Sequence, residues 1–490
     1  MDIKKIIKIF LFVNFTVFIF GVLNGFFKPF WLDEILSISF AQKIPSLDLK
    51  QIFTQDTHSP FFYVILLVGQ KILHLINFNQ SDHLIFLRLI NMIGLIPIYI
   101  SYKILKKNFL HINLDIVFLS LISSYFFFFF FLDLRMYFLL LSFSFLVNVL
   151  NLTNSLEKEH KYLFIFSATL LSMLHVFGLT ISMSILLYRF ILNFFNKEYK
   201  KCKIDIIFSF FLLFIFFTFY GLSLMNFENM KMFGWIKNQL WYYRVFLEWT
   251  INTNIIILFS ILLLLFYFKS KIFKFENIKV FYASNFMKIT FCLAFPAIIL
   301  MVATLTISFF IAPIITYRNL VVIFPNLVLY SGVLSYFLLN TKRFNKIFFI
   351  ILILVTFINI KYYYVKMIKS HQNIEWVVKK TFTKNCKNVP VYYNDAGRKN
   401  FVNLYAKRAT NIYSEFSRPI KNLSDINHKE FLQNFNRYKN CNIFIFSFHI
   451  ANLETYIAEL NYKDLDFIIK YAPNVEEKNS KSGAIVLIGR

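Results

Sequence analysis

Up to about residue 360 the chain alternates long apolar runs with short basic clusters. Residues 6–20 and 347–360 are typical runs and hold almost no charge. A hydrocarbon core takes ~20 apolar residues per helix, so the pattern predicts membrane-spanning helices. The clusters stand at Lys4/Lys5/Lys8, Lys106/Lys107, 158–161, 197–203, 269–279 and 342–346. Excess lysine marks cytoplasmic loops, which places all six inside and requires an even number of crossings between neighbours. Residues 115–153 and 162–195 are each long enough for two short helices, with polar breaks at Asp133/Arg135 and at 175–178. Residues 204–268 form a third pair around the polar stretch 226–249, and 289–340 a fourth, broken at Tyr317 and Arg318.

Residues 60–76 do not fit this scheme. They are apolar enough to span, but a crossing there would move Lys106 and Lys107 outside. The segment is also short and carries Gln70, Lys71 and His74, so residues 61–75 are predicted to lie as an amphipathic helix in the outer interface. The count is then about eleven spans, with the N-terminus cytoplasmic and everything after about Tyr364 extracytoplasmic. From residue 370 the composition turns mixed and polar. Apolar runs at 389–393, 443–448 and 484–488 alternate there with helical patterns at 398–407 and 453–460, which predicts a small α/β domain. The expected fold is therefore an all-α polytopic membrane domain over 1–365, with an outer loop and interfacial helix at 28–83, followed by a soluble α/β extracytoplasmic domain over 366–490.

Composition agrees with this. Of 490 residues 58% are hydrophobic, and a soluble protein with that fraction would expose large sticky patches. A net charge of +26 would suit a nucleic-acid partner. Most of the lysine, however, sits between apolar runs, where membrane topology puts it, and no nucleic-acid partner is expected. Lys4, Lys5, Lys8 and the run behind them imitate a signal peptide, yet no small-residue cleavage site follows, which predicts a retained first helix. The cysteines at 202, 292, 386 and 441 show no metal-type spacing. Cys386 and Cys441 each stand just before an apolar run. If those runs are neighbouring parallel strands, the two thiols sit at one end of a sheet, within reach of a disulfide on an oxidising outer side.

The predicted topology gathers polar side chains on the outer side: Asp33, Glu34, Asp56, His58, Arg88, Asp133, Arg135, His175 and Arg318. Charge at membrane depth is costly and marks candidate functional residues. The Asp33-Glu34 pair can supply a general base, with the second carboxylate orienting the first, although an acidic helix start would look the same. Ser59 and Pro60 fit an N-cap and first helical position, which leaves Asp56 and His58 unexplained. Arg88 at the outer surface can grip a lipid phosphate with two hydrogen bonds, or simply anchor a helix.

Taken in series, these residues resemble a known family. Asp33-Glu34, Asp56-x-His58-x-Pro60-x-x-Tyr63, Arg88-Leu89 with Gly94, Asp133-x-Arg135-Met136-Tyr137, and Tyr317-Arg318-Asn319-Leu320 with Pro325 are similar to successive motifs of the protein O-mannosyltransferase and lipid A aminoarabinose transferase group, glycosyltransferase family 39 and its relatives, with the GT-C fold. Ser59 replaces the family's usual first proline, and Asp133 its usual glutamate. The resemblance implies a multi-pass enzyme of the bacterial cytoplasmic (inner) membrane that moves a sugar from a polyprenyl-phosphate donor to a lipid, glycan or protein acceptor on the outer face. On that footing Arg88, Arg135 and Arg318 would bind the donor phosphate and Asp33 would deprotonate the acceptor in a single inverting displacement. Glu34 would assist Asp33, and Asp56, His58, Tyr63, Asp133, Tyr137 and His175 would orient base or acceptor. Asp33, Asp56 and His58 are acceptable ligands for a divalent metal, and a role for one stays open. A transporter or flippase of a lipid-linked sugar is the alternative, but transporters place such residues near the bilayer midplane rather than at outer helix ends.

Overall fold

The structure is a computed structural model. It describes residues 3–28, 30, 32–48, 59–76, 81–108, 112–156, 160–221, 285–310, 316, 318–338, 342–368, 388–393, 420–422, 433, 444–447, 467–471 and 485–489. The helices are α1 (Ile3–Phe26), α2 (Leu32–Lys43), α3 (Pro60–Leu75), α4 (Leu95–Asn108), α5 (Leu114–Ile122), α6 (Tyr125–Leu132), α7 (Tyr137–Leu156), α8 (Lys161–Leu174), α9 (Val176–Phe195), α10 (Tyr199–Phe216), α11 (Asn285–Phe310), α12 (Phe324–Leu338) and α13 (Lys342–Ile368). Two 3-10 helices, Ser81–Gly94 and Asn319–Val322, lead into α4 and α12. Among the described residues seven helices are long and apolar enough to cross a membrane, or eight if the bent pair α5/α6 is one span. The sequence pattern predicts about eleven. The difference arises at α8, which has only 14 residues, at α13, whose described apolar part is short, and at 222–284, which lie outside the described residues.

The chain divides into two compact units. The first comprises Met1–Val22, Ser46–Ile65 and Arg88–Tyr363, and the second Leu23–Pro45, Leu66–Leu87 and Tyr364–Arg490.

In the first unit α7 is the central helix, packed against α4, α8, α9, α11, α12 and the 3-10 helix Asn319–Val322. One of its faces carries Ser144, Asn148 and Asn151, spaced i, i+4, i+7, and all three are fully buried. Their partner is a proline break. Pro296 lies inside α11, has no N–H for the carbonyl of Cys292, and its ring crowds that same carbonyl. Without water, a carbonyl so freed must find a protein donor. Asn151 Nδ2 donates to Cys292 O at 3.3 Å, and Asn326 Nδ2, from α12, donates to Leu293 O at 2.8 Å. Asn326 Nδ2 also donates to Asn148 Oδ1 at 2.8 Å, which joins the two helices.

α1 and α13 run parallel: Phe10 meets Phe349 edge-on at 6.0 Å, and further along Asn14 Nδ2 donates to Thr356 Oγ1 at 2.9 Å. Asn359 Nδ2 then donates to Asn14 Oδ1 at 2.7 Å. The hairpin of α9 and α10 encloses a buried ion pair, Arg189 Nη2 to Asp205 Oδ1 at 3.4 Å. Asn193 Nδ2 donates to the other carboxylate oxygen at 2.9 Å, and the guanidinium lies 4.7 Å from the Phe164 ring centre. Each charge at that depth is thereby paired.

Residues 115–153 break twice rather than once. Besides the expected interruption at Asp133, α5 and α6 meet at Ser123-Ser124 with a bend of 57°. Ser124 Oγ accepts from Phe126 N at 3.2 Å and so caps α6. On the other side of the bend the Tyr363 hydroxyl, from α13, donates to Ile122 O at 2.6 Å. Rings fill the space around α6: Phe18 of α1 packs on Phe127 at 5.4 Å and Phe131 at 5.6 Å, and Tyr363 on Phe128 at 4.2 Å.

In the second unit Gln70 Nε2 of α3 donates to Ile38 O of α2 at 3.3 Å. Phe86 packs edge-on against Phe27 at 6.4 Å. Five strands, β1 (Val391–Tyr393), β2 (Ile420–Asn422), β3 (Phe444–Ser447), β4 (Phe467–Tyr471) and β5 (Ile485–Gly489), form one sheet in the order β2-β1-β3-β5-β4. β1 is parallel to β2 and β3, and β5 is antiparallel to β3 and β4. β1, β3 and β5 lie on the apolar runs singled out above. Cys386, Cys441 and the helical patterns at 398–407 and 453–460 lie outside the described residues.

Candidate functional site

Two interruptions read separately from the sequence, at Asp133 and at His175, meet in space. The first follows α6. Asp133 N donates to Phe129 O at 3.0 Å and closes the helix, and Arg135 N donates to Asp133 O at 2.8 Å, a tight turn about the fully buried Leu134. α7 starts two residues later with Tyr137. The Tyr137 ring packs on Phe130 at 5.2 Å and on His175 at 6.3 Å, and the Arg135 guanidinium stands 5.9 Å from its centre. Arg135, at 6% exposure, and Asp133, at 3%, are both buried.

His175 is the single residue between α8 and α9. Its Nδ1 accepts from Phe177 N at 3.2 Å, and its carbonyl accepts from Gly178 N at 2.9 Å and Leu179 N at 3.1 Å. The imidazole thus caps α9, and a ring whose Nδ1 accepts carries its neutral-state proton on Nε2. The turn is tight enough to require glycine at 178, where a Cβ would stand 2.1 Å from the carbonyl oxygen of Leu171.

Arg88 lies within the 3-10 helix Ser81–Gly94, in the opening part of the candidate span Leu84–Asn108. It is buried, at 4% exposure. Three residues apart on a 3-10 helix eclipse one another, so Arg88 and Asn91 share a face. The Asn91 amide reaches the end of α6: its Nδ2 lies 3.3 Å from Phe130 O, 3.0 Å from Phe131 O and 2.8 Å from Asp133 O. Three carbonyls around one nitrogen fix which end of the amide is nitrogen. Gly94, one turn on, lets this element approach α7, since a Cβ there would meet the Phe138 ring at 2.7 Å and Ser142 Oγ at 2.9 Å.

Arg318 is half-buried and immediately precedes Asn319–Val322, whose last carbonyl accepts from Ser144 Oγ of α7 at 2.7 Å. Ser144 lies seven residues beyond Tyr137, roughly 10 Å along the helix. Tyr63 is fully buried in α3, behind the Ser59 cap, where Oγ accepts from Phe61 N at 3.2 Å. The first unit therefore assembles Asp133, Arg135, Tyr137 and His175, and ties to them the element that carries Arg88.

Asp33 and Glu34 belong to the second unit and occupy the first turn of α2, a separate helix rather than the end of α1. Acidic side chains there complement the helix dipole. Asp33 is half-buried and Glu34 is 1% exposed. Asp56, His58 and Tyr317 lie outside the described residues. Among the described residues no three His, Cys, Asp or Glu side chains converge as a metal site would need, and of the suggested ligands only Asp33 is described.

Sequence reading missed Asn91 and the Ser144/Asn148/Asn151/Asn326 set. Asn91 sits alone in an apolar run, and its partners lie about 40 residues away. The α7 residues did leave a signal, a polar stripe at helical spacing in a helix without charge.

No protein-family model matches the chain, and no curated protein matches it. Its structure is similar to crystal structures of ArnT from Cupriavidus metallidurans in the apo state (TM-score 0.47, 12% identity, 96% of this chain and 97% of that one) and bound to undecaprenyl phosphate (TM-score 0.49, 11% identity, 98% and 97%). Likeness at that level does not assign a family.

Proposed function

We propose that the chain is an integral membrane glycosyltransferase that moves a sugar from a polyprenyl-phosphate donor to an acceptor on the outer face of the bacterial cytoplasmic membrane. The observation that carries this reading is the pair of buried arginines, Arg88 and Arg135, on elements joined through Asn91. Buried guanidinium groups are strong, two-pronged partners for phosphate, and stronger away from water. A polyprenyl donor presents a phosphate where its apolar tail leaves the bilayer. Arg318 is the third candidate for that phosphate, held on α7 by its own segment.

In the reaction, Asp33 takes the proton of the acceptor hydroxyl, and that oxygen bonds to the anomeric carbon as the bond from that carbon to the phosphate oxygen breaks. Polyprenyl phosphate departs with the electron pair, its growing charge offset by the arginines. Glu34 orients Asp33. Tyr63, Tyr137, Asp133 and His175 line or shape the sugar site, and Asp56 and His58 complete the acceptor side. The half-buried setting of Asp33 supports its role as the accessible carboxylate of the pair. The N-terminus is cytoplasmic and the tail from about residue 366 is a soluble extracytoplasmic α/β domain. The parallel course of α1 and α13 supports this topology, because it puts the basic clusters that open both helices on one side.

The test is transfer by the purified chain in lipid nanodiscs, supplied with synthetic polyprenyl-phosphate sugars and envelope lipids or glycans from a strain lacking the gene. Release of polyprenyl phosphate together with a sugar-modified acceptor is expected. Movement of the donor between leaflets without cleavage would replace this reading with transport.

A further inference from the structure

We propose that Asn91 is a positioning residue that sets the spacing of Arg88 and Arg135 for one phosphate. This rests on the donor reading above and assigns a role to a residue that touches no reacting atom. α6 ends in carbonyls with no partner inside the helix, and an apolar setting makes unpaired carbonyls costly. Asp133 N takes the carbonyl of Phe129, and the amide of Asn91 reaches the next two, those of Phe130 and Phe131. It also reaches Asp133 O at 2.8 Å, the same oxygen to which Arg135 N donates at 2.8 Å. The turn that launches the Arg135 side chain is therefore held on one side by its own backbone and on the other by Asn91.

Asn91 itself belongs to the Ser81–Gly94 helix. Arg88 is eclipsed with Asn91 there, one 3-10 turn away. Both residues are buried, Asn91 at 0% exposure. A single side-chain amide thus fixes the backbone of one arginine against the backbone of the other. Serine can serve one carbonyl through its hydroxyl, and leucine none. Removing the amide would free the turn to seek other donors and would let the two cations drift relative to one another. The apolar tail of a donor would not sense this.

The experiment compares binding of a polyprenyl monophosphate with that of the polyprenol of equal length, by thermophoresis of the whole chain in nanodiscs. The ratio of the two affinities isolates the phosphate grip from tail binding and from general loosening. The wild-type chain is expected to favour the phosphate. Asn91→Leu should cut that preference roughly 10- to 100-fold, the worth of about one charge-assisted hydrogen bond, with polyprenol affinity unchanged. Asn91→Ser should fall between, and decides the matter if the leucine variant does not fold. Asn359→Leu, which removes a buried amide elsewhere in the bundle, should keep the wild-type ratio. A wild-type chain that binds both lipids alike overturns the donor reading and this proposal with it. A wild-type preference retained by Asn91→Ser and by any folded Asn91→Leu overturns this proposal alone.

Discussion

The hydroxyl of Tyr363 donates to the carbonyl of Ile122 at 2.6 Å, across a sequence separation of 241 residues. That carbonyl is available because the chain breaks at Ser123-Ser124, and the same tyrosine ring covers Phe128 at 4.2 Å. The last described residue of the first unit thus closes the bend in α5/α6. Tyr363→Phe keeps the ring and deletes the donor, so a buried acceptor is left without a partner, at a cost of ~1–3 kcal/mol. The purified variant should unfold at a lower temperature than wild type in the same detergent. An unchanged midpoint would mean that water or another donor already serves Ile122.

The proline in α11 gives a sharper test. Asn151→Leu strands the Cys292 carbonyl, because residue 296 has no N–H to return to it. Pro296→Ala restores that N–H. Asn151→Leu alone should destabilise the bundle, and adding Pro296→Ala should recover much of the loss, with a coupling of ~0.5–3 kcal/mol in a double-mutant cycle. Strict additivity would show that Asn151 does not act through the break.

Two glycines should answer differently to alanine. At Gly94 the obstructing atoms are the Phe138 ring and a serine hydroxyl, which can shift. At Gly178 the obstruction is the backbone oxygen of Leu171 at 2.1 Å, which cannot move without unwinding the His175 turn. Gly178→Ala should therefore lose folded yield in size-exclusion chromatography far more than Gly94→Ala. The reverse order would place the tight approach on the wrong glycine.

For the proposed chemistry, Asp33→Asn preserves size and hydrogen bonding while removing the base. General-base catalysis contributes ~10²–10⁴-fold, so transfer should fall in that range while donor affinity holds. Glu34→Gln should cost less. Near-normal turnover by a folded Asp33→Asn chain would strike Asp33 from the mechanism.

How much of this was legible in the sequence depended on what the bilayer enforces. It demands length and low polarity, so the long runs declare themselves, and a histidine in mid-run declares a break, as His175 does. Ser123-Ser124 did not, and the reason is physical. A serine inside a membrane helix usually returns its hydroxyl to the carbonyl four residues back, as Ser101, Ser142, Ser172 and Ser182 do here. Serine therefore carries no breaking signal, and the bend shows only once Tyr363 is brought to it. Arg88 was recognisable as a candidate, but its 3-10 setting and its link through Asn91 depend on contacts with α6 that no local pattern encodes. In the tail, β3 was visible as an apolar run, whereas β2, with Lys421 and Asn422 in its three residues, was not.

The amide pair between α1 and α13 has a consequence for how the protein is made. Asn14 and Asn359 are separated by 345 residues. At ~5–20 residues per second, synthesis needs on the order of 20 to 70 seconds to pass from one to the other. For that interval Asn14 carries an amide oxygen whose eventual donor does not yet exist. α1 thus waits for α13 before this amide pair can close. A chain stopped short of residue 359 would leave the Asn14 amide oxygen without this donor.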